Sequence, residues 1–375
     1  MSQEEFSFQR NQFLPHVPSP LQTILLEQLA LRLKAKKKIF QASQLLFTKL
    51  NLEQATREIV SRHKAKKLAH FPVIADLCCG IGGDSFFLDN RIVGVDINPG
   101  ILKLYDFNMR KLNKDFIAVC TDATRCNIRS QAALLDPARR QTAHSNTGWQ
   151  DDSLSPALSQ IEGCIKHYKN MGIKLRPGIT VPEFLCDYEL EYIGVKDECI
   201  ELTVWTGDLG CSQRVTAVEL ESGSSISASI SDIPDTFSHI NYPGSYIFEP
   251  VKVLVRSHLF GVLANQLGLW QIDSQIAYLS GNEPVLHPFL KSYKIIGQYS
   301  LNLKGLKRVI KEHDIGILEI KKRGVAVSPE KVRKQLSPKG SQSGILIFTR
   351  VKNKKTVFLV QPFKRRACQE MESLI

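Results

Sequence analysis

The stretch Asp76-Leu77-Cys78-Cys79-Gly80-Ile81-Gly82-Gly83-Asp84 decides how this chain reads. It follows an apolar run, Phe71 to Ala75, and precedes a second apolar run that ends at Asp96. An acidic residue, a glycine-rich turn and a second acidic residue about twenty positions on form a nucleotide-binding arrangement. Glycines let the backbone approach a ligand that a Cβ would hold off, and they adopt dihedrals other residues avoid. The second carboxylate sits where a ribose is held by its two hydroxyls. Dinucleotides and S-adenosylmethionine are both bound this way. The acid at the head of the loop and the lack of a strict G-x-G-x-x-G favour S-adenosylmethionine, with Asp76, Cys78, Gly80 and Gly82 lining the cofactor.

Outward from the loop the pattern alternates. Strands are expected at Val73–Leu77, Ile92–Asp96, Phe116–Cys120, Ala132–Asp136 and Gly172–Leu175, then at Cys199–Trp205 and Val215–Leu220. Helices are expected at Pro99–Leu112 and Ser153–Lys169, with a short one opened by Pro182. Strands separated by helices imply crossover connections and a largely parallel sheet. The turn Gly207–Arg214 has no room for a crossover, so the last two strands should form an antiparallel hairpin. The fold class is α/β, and the pattern resembles the Rossmann-like seven-stranded sheet of class I methyltransferases.

Each later strand ends on chemistry. Asp96, followed by Ile97, can accept both ribose hydroxyl protons as charge-assisted hydrogen bonds. A helix N-cap is the competing role, and Asn98 fits that better. Asp122, beside Ala123, can accept an adenine amine, or be an ordinary turn Asp. Asp136-Pro137-Ala138-Arg139-Arg140 places a carboxylate at the catalytic rim, as either a base or an orienting acceptor. Arg139 or Arg140 would hold a substrate phosphate or carboxylate. Lys174 adds positive charge at the same edge, or closes a turn. No cysteine has a nucleophile setting, and the histidines form no metal-ligand spacing, so no metal is expected.

The chain has 375 residues, which suggests two or three domains. We place an N-terminal helical basic segment at 1–70, the nucleotide-binding domain at 71–235 and a small α+β domain at 236–375. Residues 20–70 read as helical. Leu21, Ile24, Leu25 and Leu29 recur at helical spacing, and Asn51 with Gln54 suggests a capping box opening a second helix. Ala55, Ile59 and Val60 would face its interior, and Arg62, Lys64, Lys66 and Lys67 would close it, as the helix dipole favours. The serine-rich stretch 221–235 reads as a linker. Beyond it, Val251–Val255, Ile345–Thr349 and Thr356–Val360 are strand-like, and Leu259–Leu269 and Leu303–His313 helical.

Hydrophobic content is 43%, enough for a real core. No apolar run approaches the ~20 residues of a membrane span. Met1–Arg10 is polar and reads as no signal peptide, and nine scattered cysteines suit reduced thiols in a cytoplasmic protein. The net charge of +12 is segregated. Residues 1–70 hold 12 Lys/Arg against 5 Asp/Glu, residues 71–300 hold 19 against 26, and residues 301–375 hold 18 against 6. Basic ends around an acidic middle suit a polyanion partner, because cation clusters gain from releasing condensed counterions.

The glycine loop, Gly94-Val95-Asp96, the Asp136-Pro-Ala-Arg-Arg140 box and Lys174-x-x-Pro177-Gly178 together resemble class I S-adenosylmethionine-dependent methyltransferases with a C-terminal THUMP-like domain. Leu52–Thr56, Arg62–Ala65 and Ser328–Leu336 with Lys339-Gly340 extend the resemblance over roughly residues 40 to 360. The D-P-A-R-R box is its most specific element. The resemblance implies methyl transfer with S-adenosylmethionine as cofactor. THUMP domains proper bind RNA, so it also implies an RNA substrate. The chain departs from the family pattern in two places. Only Ser85–Arg91 separate Asp84 from the next strand, and Cys78-Cys79 stands where Gly-Cys is usual. A binding module with a decayed catalytic half, or a protein or small-molecule substrate, are the alternatives.

Overall fold

The computed structural model describes residues 17–139, 154–233 and 239–363. These fall into two compact units, Met1–Ile193 with Ile200–Arg214, and Gly194–Cys199 with Val215–Ile375.

In the first unit, helices α1 (Ser19–Ala35), α2 (Lys49–Gln54) and α3 (Glu58–Leu68) precede the sheet. Its strands are β1 (Val73–Leu77), β2 (Arg91–Asp96), β3 (Phe116–Cys120), β4 (Ala132–Leu135), β5 (Met171–Leu175), β6 (Glu189–Val195) and β7 (Glu198–Trp205). They are ordered β3-β2-β1-β4-β5-β7-β6. β1, β4 and most of β5 and β6 are buried, as expected for strands covered on both faces. β1 pairs in parallel with β2 and β4, while β7 runs antiparallel to β5. The chain reverses its direction of travel at β1, which places the switch point between β1 and β4, where open sheets bind ligands.

Only the 3-10 turn Ser85–Phe87 lies between β1 and β2 in place of a crossover helix. An uncovered sheet face would leave apolar surface in water, and α3 covers it instead. Ser61 Oγ donates to Asp84 O at 3.0 Å, and the Arg62 guanidinium lies 4.4 Å over the Phe87 ring. Leu52, Leu68, Ile74, Phe86, Ile92 and Trp205 belong to one buried cluster, so the N-terminal helices and the sheet share a core. α4 (Pro99–Lys111) and α5 (Leu158–His167) complete the unit. Asn98 caps α4, its side chain accepting from the N–H groups of Gly100 and Ile101.

Several expectations need correction. The helix expected to open at Asn51 is two helices, and the cap is Thr48, whose hydroxyl accepts from Asn51 N–H at 3.1 Å. Ile59 is exposed rather than interior. Cys199–Trp205 is not hairpinned with Val215–Leu220. An unforeseen strand, β6, lies beside β7, and β5 occupies its other edge. Two buried glutamates in β6, Glu189 and Glu191, disguise it as surface. They are satisfied by Cys211 N–H at 3.0 Å and Trp205 Nε1–H at 2.8 Å.

In the second unit, β8 (Arg214–Glu219) pairs with β9 (Ser224–Ser229), which lies inside the expected linker. A seven-stranded sheet follows: β10 (Tyr246–Pro250), β11 (Trp270–Asp273), β12 (Ile276–Gly281), β13 (Leu290–Ser300), β14 (Ile315–Lys322), β15 (Gln342–Val351) and β16 (Lys354–Pro362). Its order is β11-β12-β10-β13-β16-β15-β14. α6 (Lys252–Arg256) and α7 (Phe260–Gln266) follow β10. Val251–Val255, expected as a strand, is therefore helical. Its strand begins earlier and ends at Pro250, and Val253 and Leu254 are buried from the single helical turn. α8 (Leu303–Glu312) and α9 (Pro329–Leu336) pack against one face of the sheet, with Leu306, Ile310, Val332 and Leu336 buried against β14–β16. Their other faces carry Lys304, Lys307, Arg308, Lys311, Lys331 and Lys334, all exposed, while Arg333 Nε turns back to donate to Leu318 O of β14 at 3.2 Å. Among the described residues no helix is long and apolar enough to cross a membrane.

Candidate active site

Parallel pairing delivers the carboxylates to one edge of the sheet. Asp76 is level with Gly94 of β2 and Leu134 of β4, and Asp96 is level with Cys120 of β3. Asp136 follows β4 directly, its N–H donating to Leu77 O at 3.2 Å.

The loop after β1 is folded by left-handed residues. Cys78, Gly80 and Gly82 have φ of 63°, 55° and 98°. A Cβ on Gly82 would sit 2.6 Å from the Phe86 ring, so packing demands glycine there. At Gly80 nothing lies within 4 Å of where a Cβ would be, leaving the backbone open on that side. Cys78 takes a left-handed conformation with a side chain, which is strained. Its thiol is pushed well up by burial and by Asp96, Asp136 and Asp76, which disfavours the thiolate.

Asp96 ties the loop to β2. Its Oδ2 accepts from Gly80 N–H at 3.1 Å and its Oδ1 from Asn98 N–H at 2.9 Å. A carboxylate offers about four acceptor sites, so capacity for two ribose hydroxyls remains. Ile97 beside it is exposed, at 70%. Asp122 accepts from Thr124 N–H at 2.9 Å and Thr124 Oγ1 at 2.8 Å, which hold its carboxyl low. Its side chain keeps 37% exposure, while Ala123 is buried. Asp76 is different: it lies beneath the loop, 2% exposed. Ser85 Oγ donates to its Oδ2, and Tyr105 OH lies 3.1 Å from Ser85 Oγ. Burial, then Asp84, push the Asp76 carboxyl up to about 7 against the Ser85 hydrogen bond. Asp76 therefore props the loop from within. The open Gly80 backbone, the half-buried Asp96 and the accessible Asp122 fit S-adenosylmethionine: one for close approach, one for a diol, one for an amine.

Beyond β4, Lys174 Nζ donates to Asp136 Oδ2 at 2.6 Å. Burial raises the Asp136 carboxyl while Lys174 opposes the rise. Arg139 pairs its backbone with Leu154. Its side chain and Arg140 lie outside the described residues. Behind this pair stands a buried ion cluster that sequence reasoning missed. Lys64 Nζ meets Asp84 Oδ1 at 2.5 Å and Glu201 Oε1 at 2.9 Å. Lys64 reads as surface charge in a basic run, and nothing local marks it otherwise. Other N-terminal cations are also used inside the fold. Lys38 Nζ donates to Leu52 O and Glu53 O at 2.9 and 3.0 Å. Its ammonium is lowered to about 8 by burial, then by Lys174 and Arg57. A groove of about 740 Å³ between α4 and the β3 edge contains none of these carboxylates.

Residues 290–362 match a family described as THUMP domain-like. The chain is 32% identical over 318 residues to an uncharacterized S-adenosylmethionine-dependent methyltransferase of Mycobacterium tuberculosis strain CDC 1551, covering 82% of this chain and 86% of the relative. The counterpart from strain H37Rv gives the same figures. A crystal structure of a Porphyromonas gingivalis W83 protein described as a methyltransferase matches 96% of both chains with a TM-score of 0.80. At 18% identity that likeness is one of fold.

Proposed function

This chain belongs to the S-adenosylmethionine-dependent methyltransferases that carry a THUMP-like domain, and we propose that it methylates RNA. The observation that carries the RNA reading is the outer face of α8 and α9. Six exposed cations line it, against two acids, Glu312 and Glu330. Glu312 is 3.3 Å from Arg308, and Glu330 is engaged by Ser328. Such a face favours a polyanion through counterion release. The N-terminal cations support this reading less, because several are consumed internally, as Lys64 and Lys38 illustrate.

S-adenosylmethionine supplies a methyl group already activated on sulfonium. The protein's task is then to position the acceptor and manage its proton. In this reading Asp96 holds the ribose hydroxyls, Asp122 accepts from the adenine amine and the Gly80 backbone lines the methionine part. Asp136 lines the acceptor pocket and takes or orients a substrate proton, and Arg139 holds a substrate phosphate. The binding-only alternative draws on the short connection after the glycine loop, but α3 fills that place. A cytoplasmic location fits an RNA substrate.

Two measurements test the reading. Calorimetry should record S-adenosylmethionine binding that Asp96→Ala weakens by at least about tenfold, the worth of one charge-assisted hydrogen bond. Binding unaffected by that change would remove the cofactor assignment. Reversing Lys307, Lys311, Lys331 and Lys334 to Glu should flatten the salt dependence of RNA binding. The log–log slope should fall by roughly 0.7–0.9 for each phosphate that is no longer neutralised. An unchanged slope would refute the RNA face.

A further inference from the structure

We infer that Lys174 is a positioning residue that fixes the Asp136 carboxylate as a hydrogen-bond acceptor, and that Thr56 of the N-terminal segment locks Lys174 in place. This rests on the reading that Asp136 lines the acceptor pocket.

Lys174 Nζ donates to Asp136 Oδ2 at 2.6 Å, to Thr56 Oγ1 at 3.0 Å and to Gln54 O at 3.4 Å. An ammonium has three protons, so each has an acceptor and the group has one orientation. The Thr56 hydroxyl, accepting from Lys174, directs its own proton to Asp84 Oδ2 at 3.0 Å. Asp84 Oδ1 meets Lys64, and Lys64 meets Glu201. Glu201 Oε1 also accepts from Thr203 Oγ1 at 2.9 Å. Charge alternates along the whole row: Asp136, Lys174, Asp84, Lys64, Glu201. Every inner member has a counter-charge on both sides, so none turns to solvent.

Only the Asp136 end opens outward. Its side chain is 33% exposed, while Lys64, Asp84 and Glu201 are buried. No described residue hydrogen-bonds Asp136 Oδ1. With Oδ2 held by a satisfied ammonium, the outward oxygen is a pure acceptor. It fits a substrate that presents a hydrogen-bearing nitrogen at the methylated centre. The nitrogen lone pair forms the new bond to carbon as the carbon–sulfur pair returns to sulfur. The displaced proton passes from nitrogen to Asp136 and on to water.

The charged groups that face Asp136 are Lys174 from β5, Asp84 from the glycine loop and Lys64 from α3. Lys38, after α1, and Asp76 at the end of β1 lie within their field. Removing Lys174 takes away the ammonium bonded to the carboxylate and leaves burial and Asp84 opposed by the more distant Lys64 and Lys38.

The test is carbon-13 NMR of carboxyl-labelled aspartate in the full chain, with the Asp136 resonance assigned by Asp136→Asn. In Lys174→Met that resonance should titrate at least about one pH unit higher than in the unaltered protein. Lys174→Arg should restore part of the difference. Thr56→Val should give a smaller shift in the same direction, and Thr56→Ser none. If Lys174→Met fails to fold, Thr56→Val carries the test. An Asp136 resonance that does not move in either variant overturns the inference. A second arm measures methyl transfer to RNA from cells lacking the protein. The acid limb of the kcat profile should rise with the NMR titration. No transfer by the unaltered enzyme would sink the RNA reading and leave the NMR result standing. Transfer with an unmoved profile in Lys174→Met would sink the inference alone.

Discussion

Replacing Lys64 by methionine tests what holds the N-terminal helices onto the glycine loop. The lysine is 2% exposed and its Nζ bridges Asp84 at 2.5 Å and Glu201 at 2.9 Å. Methionine keeps the apolar stem but leaves two buried carboxylates without their shared cation. Breaking a buried pair costs about 3–5 kcal/mol. Asp84 keeps the Thr56 hydroxyl and Glu201 keeps the Thr203 hydroxyl, which soften the loss. We therefore expect about 4 kcal/mol at pH 8, or a fall in melting temperature of about 8–16 °C for a unit of this size. The pH dependence fixes the cause. In the unaltered protein the Asp84 carboxyl is held low: burial opposes its charge, but Lys64, Lys174 and Thr56 outweigh burial. Its stabilisation is thus present above the unfolded value of about 4 and lost as pH falls through the folded one. Without Lys64 burial prevails at Asp84, its carboxyl rises, and protonation relieves it. The deficit should be largest at pH 8 and shrink toward pH 5. Urea unfolding followed by circular dichroism at both pH values measures it. A deficit below about 1 kcal/mol, or one equal at both pH values, would refute the argument that paired burial of charge anchors α3.

Two further outcomes follow from the same site. Cys78→Gly removes a side chain from a left-handed backbone and should stabilise the protein by about 0.5–1 kcal/mol, part of the 1–2 kcal/mol steric cost being offset by glycine's freer unfolded state. A drop in stability in urea would mean that packing of the thiol outweighs the strain. Asp76→Asn should stabilise the protein more at pH 8 than at pH 5, by on the order of a few kcal/mol, because the raised carboxyl penalises folding progressively from its unfolded value up to about 7. Equal differences at the two pH values would place the Asp76 proton elsewhere.

The periodic parts of this fold were legible in the sequence because they are local. β1 to β5 and α4 announce themselves through apolar runs and turn residues, and the loop with Asp96 follows from the spacing of glycine and acid. Local reading failed where distant partners change what a residue means. Glu189 and Glu191 make β6 look like surface until Trp205 Nε1 and Cys211 N–H are brought to them. Lys64 belongs to a basic run by composition, yet Asp84 and Glu201 bury it. Thr56 and Lys174 stand 118 residues apart and meet at 3.0 Å. Sequence by itself determined the alternation of strands and the tight bend of the glycine loop, since backbone period and glycine conformation act over a few residues. Only the tertiary structure decided which charges face solvent and which pair with Asp136, Asp84 and Glu201, because a buried ion pair exists only once the chain has brought both partners out of water together.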